Sequence, residues 1–247
     1  MKKMKSYEER LEKAVEINKT YFLTKWHIQE LLRETKPVIF DGHFEFCGFH
    51  SDTFFRMQAV SQYPYYVSGI CREMSGWAKN MTERPDVFLA PSAQGMYFAY
   101  SLASETKAMR AVYTKIEPET GRPIGKFIEG FEIRPGEKVV IVNDVNLTGA
   151  SLFRLIQLAE GNGAKVLGIC VFADMSGIEM LAKSIKDRYF FHSVISLSLP
   201  FWREETCTRN CFQKPLVTMS QINHLPIYPG DVAYESFLKK IEAKNKL

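Results

Sequence analysis

The 247-residue sequence predicts an α/β fold, a parallel sheet with helices on its faces. Two patterns carry that expectation. Short apolar runs rich in β-branched residues, such as Val139-Val140-Ile141-Val142, alternate with stretches whose apolar residues recur at helical spacing. Glycine, proline and small polar residues punctuate the junctions, as strand-to-helix turns require. The chain is long enough to bury a full core, and 46% hydrophobic with 24% charged residues is a globular balance. These values exclude a disordered chain. The longest clean apolar run, Val166 to Ala173, is far too short to span a bilayer, and no apolar h-region follows the basic start, so neither a membrane protein nor a secretory signal is read. Five scattered cysteines point to a reduced, cytoplasmic protein rather than a disulfide scaffold. A net charge of +4 suits an anionic small molecule and is too even to argue for nucleic acid.

Taken in order, residues 4–35 read as helical, with Leu11, Val15, Ile17, Phe22, Ile28, Leu31 and Leu32 among Glu and Lys, and Pro37 ends the run. Met57 to Ala78 is a second helical stretch, interrupted at Pro64. Val87 to Leu89 reads as a strand ending at Pro91, Gly95 to Ala103 as a helix, and Ala111 to Tyr113 as a strand. Residues 117–136 hold Pro118, Gly121, Pro123, Gly125, Gly130, Pro135 and Gly136, marking a long connection that is either a lid or a hairpin. Val139 to Val142 is a buried strand. Leu152, Leu155, Ile156 and Ala159 form a helical stripe closed by Gly161 and Gly163, and Val166 to Phe172 is the next strand. Asp231 to Ile241 reads as an amphipathic tail helix.

The segment VVIVNDVNLTGASL, residues 139–152, carries the chemistry. A buried strand runs into Asn143-Asp144, then a short polar loop, then Thr148-Gly149-Ala150-Ser151 opening a helix. Unpaired backbone N–H groups and the dipole at a helix start favour a phosphate. Gly149 lets the backbone come close, the hydroxyls of Thr148 and Ser151 donate to phosphate oxygens, and Asp144 accepts from sugar hydroxyls at the carboxyl edge of the sheet. The glycine spacing fits neither a Walker A loop nor GxGxxG. A plain strand-to-helix turn capped by Thr or Ser is the competing reading.

This segment resembles the phosphoribosyl pyrophosphate signature of the type I phosphoribosyltransferases. The likeness extends in order over residues 37–220: GHFEFCGFHSDTFF (42–55), DVFLAPSAQGMYFAYSLA (86–103), GFEIRPGEKVVIV (130–142), FADMSG (172–177) and LPFWREETCTRNCFQKPLV (199–217) are each similar to segments of orotate phosphoribosyltransferases. The resemblance implies a parallel sheet flanked by helices, with a small hood subdomain from the terminal segments. It divides the chain into an N-terminal helical segment (1–36), a phosphoribosyltransferase-like domain with its hood elements (37–220) and a tail helix (221–247). It implies a glycosyltransferase of pyrimidine nucleotide synthesis that moves phosphoribosyl from phosphoribosyl pyrophosphate to orotate or a related base. Mg2+ travels with the donor, and two copies of the chain form a homodimer. The donor would be held by Asn143, Asp144, Val145, Asn146, Leu147, Thr148, Gly149, Ala150 and Ser151 on its phosphoribosyl side and by Ser92, Ala93, Gln94 and Gly95 on its pyrophosphate side. Asp144, Lys115 and Lys126 would be catalytic, residues 116–130 would close as a lid, and Phe49, His50, Ser51 and Met175 would face the acceptor base.

Several positions differ from the family pattern. Asn143 replaces the first acid of a pair, Leu147 a threonine and Ala150 a glycine; Phe49, Ile116 and Met175 stand where cations are usual, and Phe127-Ile128-Glu129 occupies the stretch where the lid carries one. Lys115, Lys126, Arg122 and Arg56 are the replacement cations within reach in the sequence. The alternative function is a catalytically degenerate paralogue that binds a nucleotide or ribose phosphate as a sensor or partner subunit.

Other residues are read more simply. Cys207 and Cys211, with His192 and His224, form a weak zinc pattern. His43 and His50 are either acceptor contacts or structural, and Trp202 and Tyr228 read as core or dimer contacts. The Asn-x-Thr sequences at Asn80 and Asn146 carry no meaning in a cytoplasmic protein.

Overall fold

A computed structural model describes residues 6–46, 48–93, 95–118, 121–175, 180–207, 215–218, 221 and 222. The tail-helix expectation, Gln94, Cys211, His224 and Tyr228 lie outside them. In chain order the elements are α1 (Tyr7–Ala14), β1 (Val15–Ile17), α2 (Lys25–Thr35), β2 (Val38–Ile39), β3 (Phe44–Phe46), β4 (Phe49–Ser51), β5 (Phe54–Phe55), α3 (Met57–Ser61) and α4 (Pro64–Lys79). They continue as β6 (Val87–Pro91), α5 (Met96–Thr106), β7 (Arg110–Ile116), β8 (Pro123–Phe127), β9 (Lys138–Asn146), α6 (Ala150–Gly161) and β10 (Lys165–Asp174). The last are α7 (Met180–Arg188), β11 (Phe190–Leu197), β12 (Trp202–Arg203), a 3-10 turn (Glu204–Thr206) and β13 (Val217–Thr218).

The chain divides into two compact units. The larger comprises Val15–Trp26 and Val67–Ser198 and holds a seven-stranded sheet of order β1-β11-β10-β9-β6-β7-β8. The five inner strands are parallel, and the edge strands β1 and β8 are antiparallel to their neighbours. Every residue of Val87–Pro91 and Val139–Val142 is buried, so helices cover both faces there, and the sequence shows continuous apolar runs instead of alternation. The apolar stripe of α6, Leu152, Leu155, Ile156 and Ala159, packs into the same core as Leu89, Ile141 and Ile169. On α4, Glu73 is fully buried. Its carboxylate accepts three backbone N–H bonds, from Tyr21, Phe22 and Leu23, which satisfies the charge and fixes the entry loop.

The smaller unit gathers Met1–Ala14, His27–Tyr66 and Leu199–Leu247, so both terminal segments contribute to it. Its four-stranded sheet has the order β12-β4-β3-β13, with β2 and β5 forming a separate pair.

Three expectations change. Residues 4–35 are not one helix: Val15–Ile17 leaves the helical path and pairs antiparallel with β11. Val15 and Ile17 are β-branched and alternate with Glu16, a period-2 pattern that edge pairing exploits over a helical reading. Of the two readings of the 117–136 connection, its first half takes the hairpin: β8 pairs with β7 through Thr114↔Phe127 and Ile116↔Pro123. The strand expected at 139–142 runs on through Asn146, because Asn143, Val145 and Asn146 keep pairing with Val171, Ala173 and Asp174 of β10.

Candidate active site

Apart from Gln94, the larger unit places the predicted donor-binding residues at the carboxyl ends of β6 and β9, the edge where open α/β sheets bind ligands. β9 delivers Asn143, Asp144, Val145 and Asn146 as its last residues. Leu147, Thr148 and Gly149 turn the chain, and Ala150 and Ser151 open α6. Gly149 is the helix cap and sits at φ +81°, a left-handed conformation that favours glycine. A Cβ there would also lie 2.9 Å from the backbone of Ala182 on α7. The turn therefore requires glycine twice over. Thr148 Oγ1 accepts the Ala150 N–H at 3.3 Å, leaving the hydroxyl proton for an incoming oxygen.

Asp144 retains partial solvent contact, yet dense surroundings push its carboxyl up to about 6. Its Oδ1 accepts the Val145 N–H at 2.7 Å, which limits the rise. Asn143 donates from Nδ2 to the Val145 carbonyl at 2.9 Å, while its Oδ1 is buried with no hydrogen-bond partner among the described residues. Thr114 Oγ1, at the end of β7, is buried in the same condition. Buried polar atoms of this kind are costly unless a ligand or water completes them.

Behind the turn stands a network that sequence reasoning missed. Asn146 Nδ2 donates to Asp174 Oδ1 at 2.9 Å, and Lys186 Nζ of α7 reaches Asp174 Oδ2 at 2.8 Å. The Met175 N–H donates to the Asn146 carbonyl at 2.7 Å. Met175 is thus buried beside the β9 turn through its backbone. The available signal was Asp174 ending a strand next to the signature strand; nothing in the sequence marked Lys186.

Ser92 and Ala93 leave β6, Gly95 caps α5, and the Ser92–Ala93 peptide is cis. A Cβ on Gly95 would lie 2.8 Å from Pro91 Cδ and 2.9 Å from Ala90 Cβ, so only glycine lets this loop fold back on its strand. Ser92 N–H donates to the Thr114 carbonyl at 3.2 Å, joining the β6 loop to the end of β7. Lys115, also on β7, forms a 2.6 Å ion pair with Glu129, whose side chain is 90% exposed. Such a pair is worth little and exchanges readily for a polyanion. Lys126 is exposed on β8, and Arg122 is half-buried beside the hairpin turn. Of the positions where cations are usual, Ile116 and Ile128 are half-buried and Glu129 is exposed. A hollow between β8 and α6, lined by Ile124, Gly125, Arg154 and Gln157, contains none of the predicted site residues.

In the smaller unit, β4 carries Phe49, His50 and Ser51; Phe49 is half-buried and the other two are buried. His50 Nδ1 faces His43 Nε2 at 3.1 Å. Arg56 is buried, and burial lowers its pKa. Of the weak zinc pattern, His192 is packed in the larger unit against Trp77, with ring centroids 5.7 Å apart, and Cys207 meets His43 in the smaller one.

For Mg2+, the carboxylate of Asp144 and the Oδ1 of Asn143, which has no partner among the described residues, are hard oxygen donors of the type the ion prefers. The residues fit a cation that arrives with a diphosphate and needs few protein ligands.

A parallel sheet whose central strand ends in an acid and a glycine-dependent helix cap defines an α/β protein with a helix start at its ligand-binding edge. The sequence as a whole narrows this. The family described as "Phosphoribosyl transferase domain" matches residues 67–202, more than half of the chain, and the protein belongs to that family. An orotate phosphoribosyltransferase of Caldanaerobacter subterraneus is 32% identical over 175 residues, covering 70% of this chain and 86% of its own. Among solved structures, the adenine phosphoribosyltransferase of Leishmania tarentolae has a TM-score of 0.53 at 19% identity, covering 70% of this chain and 89% of that one. The orotate phosphoribosyltransferase of Aeropyrum pernix has 0.52 at 19%, covering 68% and 91%. The fold is shared with enzymes of both base classes.

Proposed function

We propose that the protein transfers the phosphoribosyl group of phosphoribosyl pyrophosphate to orotate or a closely related base, in pyrimidine nucleotide synthesis. The observation that carries this is the run from Asp144 to Ser151: a desolvated acid near the end of β9, then a short turn into a glycine-capped helix start. The orotate enzyme at 32% identity supports the choice of acceptor.

In this reading the first-turn amides of α6 and the hydroxyls of Thr148 and Ser151 hold the 5-phosphate, with Val145, Asn146, Leu147 and Ala150 shaping the loop. Asp144 accepts hydrogen bonds from the ribose hydroxyls, and Asn143 Oδ1 gains its missing partner. Ser92, Ala93, Gln94 and Gly95 hold the pyrophosphate. The bond from ribose C1 to pyrophosphate breaks as the bond to the base nitrogen forms, and positive charge develops on the sugar ring. Catalysis is then orientation plus charge stabilisation. Lys115, released from Glu129, and Lys126 neutralise the leaving pyrophosphate as the 116–130 hairpin closes. Mg2+, bound with the donor, supplies further neutralisation of the diphosphate. The family resemblance assigns Phe49, His50, Ser51 and Met175 to the acceptor base. The protein works as a cytoplasmic homodimer.

The replaced cations bear on rate and base choice. A lost charged hydrogen bond to a buried anion costs about 1.5–3 kcal/mol. Phe49 and Met175 offer no charge to a base carboxylate, so affinity for orotate is expected to be weak against its turnover. These replacements are the whole support for a non-catalytic, nucleotide-sensing role, and the similarity to a named transferase over most of both chains outweighs them.

The test is incubation with phosphoribosyl pyrophosphate, Mg2+ and orotate, following loss of orotate absorbance, beside a panel of other pyrimidines and purines. Turnover of orotate is expected. Binding of ribose 5-phosphate by calorimetry with no turnover of any base would establish the sensing role instead.

A further inference from the structure

The smaller unit contains a side-chain cluster of which only His50 has a part in the phosphoribosyl transfer proposed above, leaving His43 and Cys207 without one. His43, His50 and Cys207 bring one potential ligand atom each to within 4.8 Å of one another. His43 is fully buried, His50 is 3% exposed, and Cys207 is half-buried. The fold produces the convergence from far apart in sequence. Glu45 of β3 is paired with His50 of β4, and His43 lies two residues before Glu45, on the same face of the hairpin. β12 pairs with the other side of β4 through Trp202↔His50, and the 3-10 turn after it swings Cys207 back over that face. Cys207 and His43 are 164 residues apart in the chain.

Two explanations compete for this cluster, pairwise hydrogen bonds and a shared cation. His43 Nε2 lies 3.1 Å from His50 Nδ1 and 3.5 Å from Cys207 Sγ. A ring nitrogen has one in-plane lone pair or one N–H, so it serves one of these neighbours well and not both. A cation at the centre serves all three. Tetrahedral zinc with Zn–N of about 2.05 Å and Zn–S of about 2.3 Å would set its ligands about 3.4 Å (N to N) and about 3.6 Å (N to S) apart. Both observed separations come within a few tenths of an ångström of those values.

We propose that His43, His50 and Cys207 form a zinc site in which His43 Nε2, His50 Nδ1 and Cys207 Sγ fill three of the four tetrahedral positions. Two imidazoles and a thiolate are borderline-soft donors suited to Zn2+ and unsuited to Mg2+, so this cation is distinct from the one carried by the donor substrate. On binding, the Cys207 thiol loses its proton to solvent and the sulfur donates an electron pair to the metal; the oxidation states do not change. The role is structural. The metal clips the segment after β12 to the β3–β4 hairpin, closing a loop of most of the chain. With His50 held by Nδ1, only its other edge is available to an acceptor base.

Metal content and optical spectra test this without any transferase assay. The full-length protein, purified under reducing conditions without added chelator, is expected to carry about one zinc per chain by mass spectrometry. Replacement by Co2+ should give the near-ultraviolet thiolate-to-cobalt charge-transfer band. Cys207→Ser, at a half-buried position, should lose that band and bind zinc at least 100-fold more weakly. His43→Gln should bind zinc weakly as well; its fold is checked by circular dichroism, and Cys207→Ser stands as the independent variant if it fails. A chelator should lower the melting temperature of the wild type and leave that of Cys207→Ser unmoved. Wild-type protein that neither retains zinc nor takes up micromolar Zn2+ or Co2+ overturns the proposal. So does a charge-transfer band that survives in Cys207→Ser.

Discussion

Burial raises the Asp144 carboxyl to about 6, whereas burial and the nearby Lys19 lower His192 to about 4. The two shifts act on stability in opposite directions over the same pH range. A carboxyl whose folded pKa exceeds its unfolded value of 3.8 keeps extra protons in the fold, so stability falls as pH rises from about 4 to about 6. A histidine depressed from 6.5 lets the unfolded chain take the proton first, so stability falls as pH drops through 6.5 towards about 4. The wild type should therefore show a flat acid profile over this window from these two groups. Asp144→Asn removes one of the opposing slopes. The variant is expected to melt higher than wild type at pH 7, by the equivalent of about 1–2 kcal/mol after allowance for the residual solvent contact. It should approach the wild type near pH 4, and its kcat/KM at pH 7.5 should fall by at least about 100-fold. Thermal melts at half-unit pH steps decide the matter: a variant less stable than wild type at pH 7 would show that the carboxylate is not paying for its place in the fold.

At the scale of elements, the β9–α6 turn and the β7–β8 hairpin do different work. The turn is rigid, because Gly149 combines φ +81° with contact to Ala182. Gly149→Ala must move α7 or distort the cap; the expected cost is about 1–3 kcal/mol, with a rise of at least tenfold in the KM for phosphoribosyl pyrophosphate. The hairpin is adjustable, since among the described residues Lys115 is held only by the exposed Glu129. Glu129→Gln should leave stability within about 0.5 kcal/mol of wild type and lower the KM for the donor a few-fold, whereas Lys115→Ala should raise it. An unchanged KM in both variants would place Lys115 outside the donor site. The two elements also differ in how far the sequence disclosed them. The turn was legible because its geometry is written in adjacent residues: an apolar strand, an acid, a hydroxyl and a glycine. The extension of β9 through Asn146 was hidden, because polar residues at a strand end look like loop until pairing with β10 is known. Val15–Ile17 was hidden for a related reason, since three residues within a helical period reveal an edge strand only through the distant β11. The Asp174–Lys186 pair and the meeting of His43, His50 and Cys207 are products of tertiary topology, with no local spacing to announce them.

For the molecule as a whole, a net charge of +4 gives only weak attraction to a polyanionic donor, so recognition has to come from the carboxyl edge of the sheet. That edge carries two buried oxygens with no hydrogen-bond partner among the described residues, Asn143 Oδ1 and Thr114 Oγ1, and a desolvated acid, Asp144. Each costs stability in the empty protein, and in the proposed reading the donor complex relieves that cost. Ligand binding and folding should therefore be strongly linked. At a donor concentration one hundred times Kd, mass action adds about 2.7 kcal/mol to the bound state. For a chain of this length that corresponds to a rise in Tm of about 5–10 °C. Phosphoribosyl pyrophosphate with Mg2+ should produce this rise in the wild type, ribose 5-phosphate a smaller one, and orotate alone little. Asp144→Asn should start from the higher Tm and show almost no further rise, because the substitution has relieved the desolvated charge and removed the acceptor for the sugar hydroxyls. If the donor raised the Tm of wild type and Asp144→Asn equally, the ligand would be binding away from β9, and the strand-end acid would have to be assigned another task.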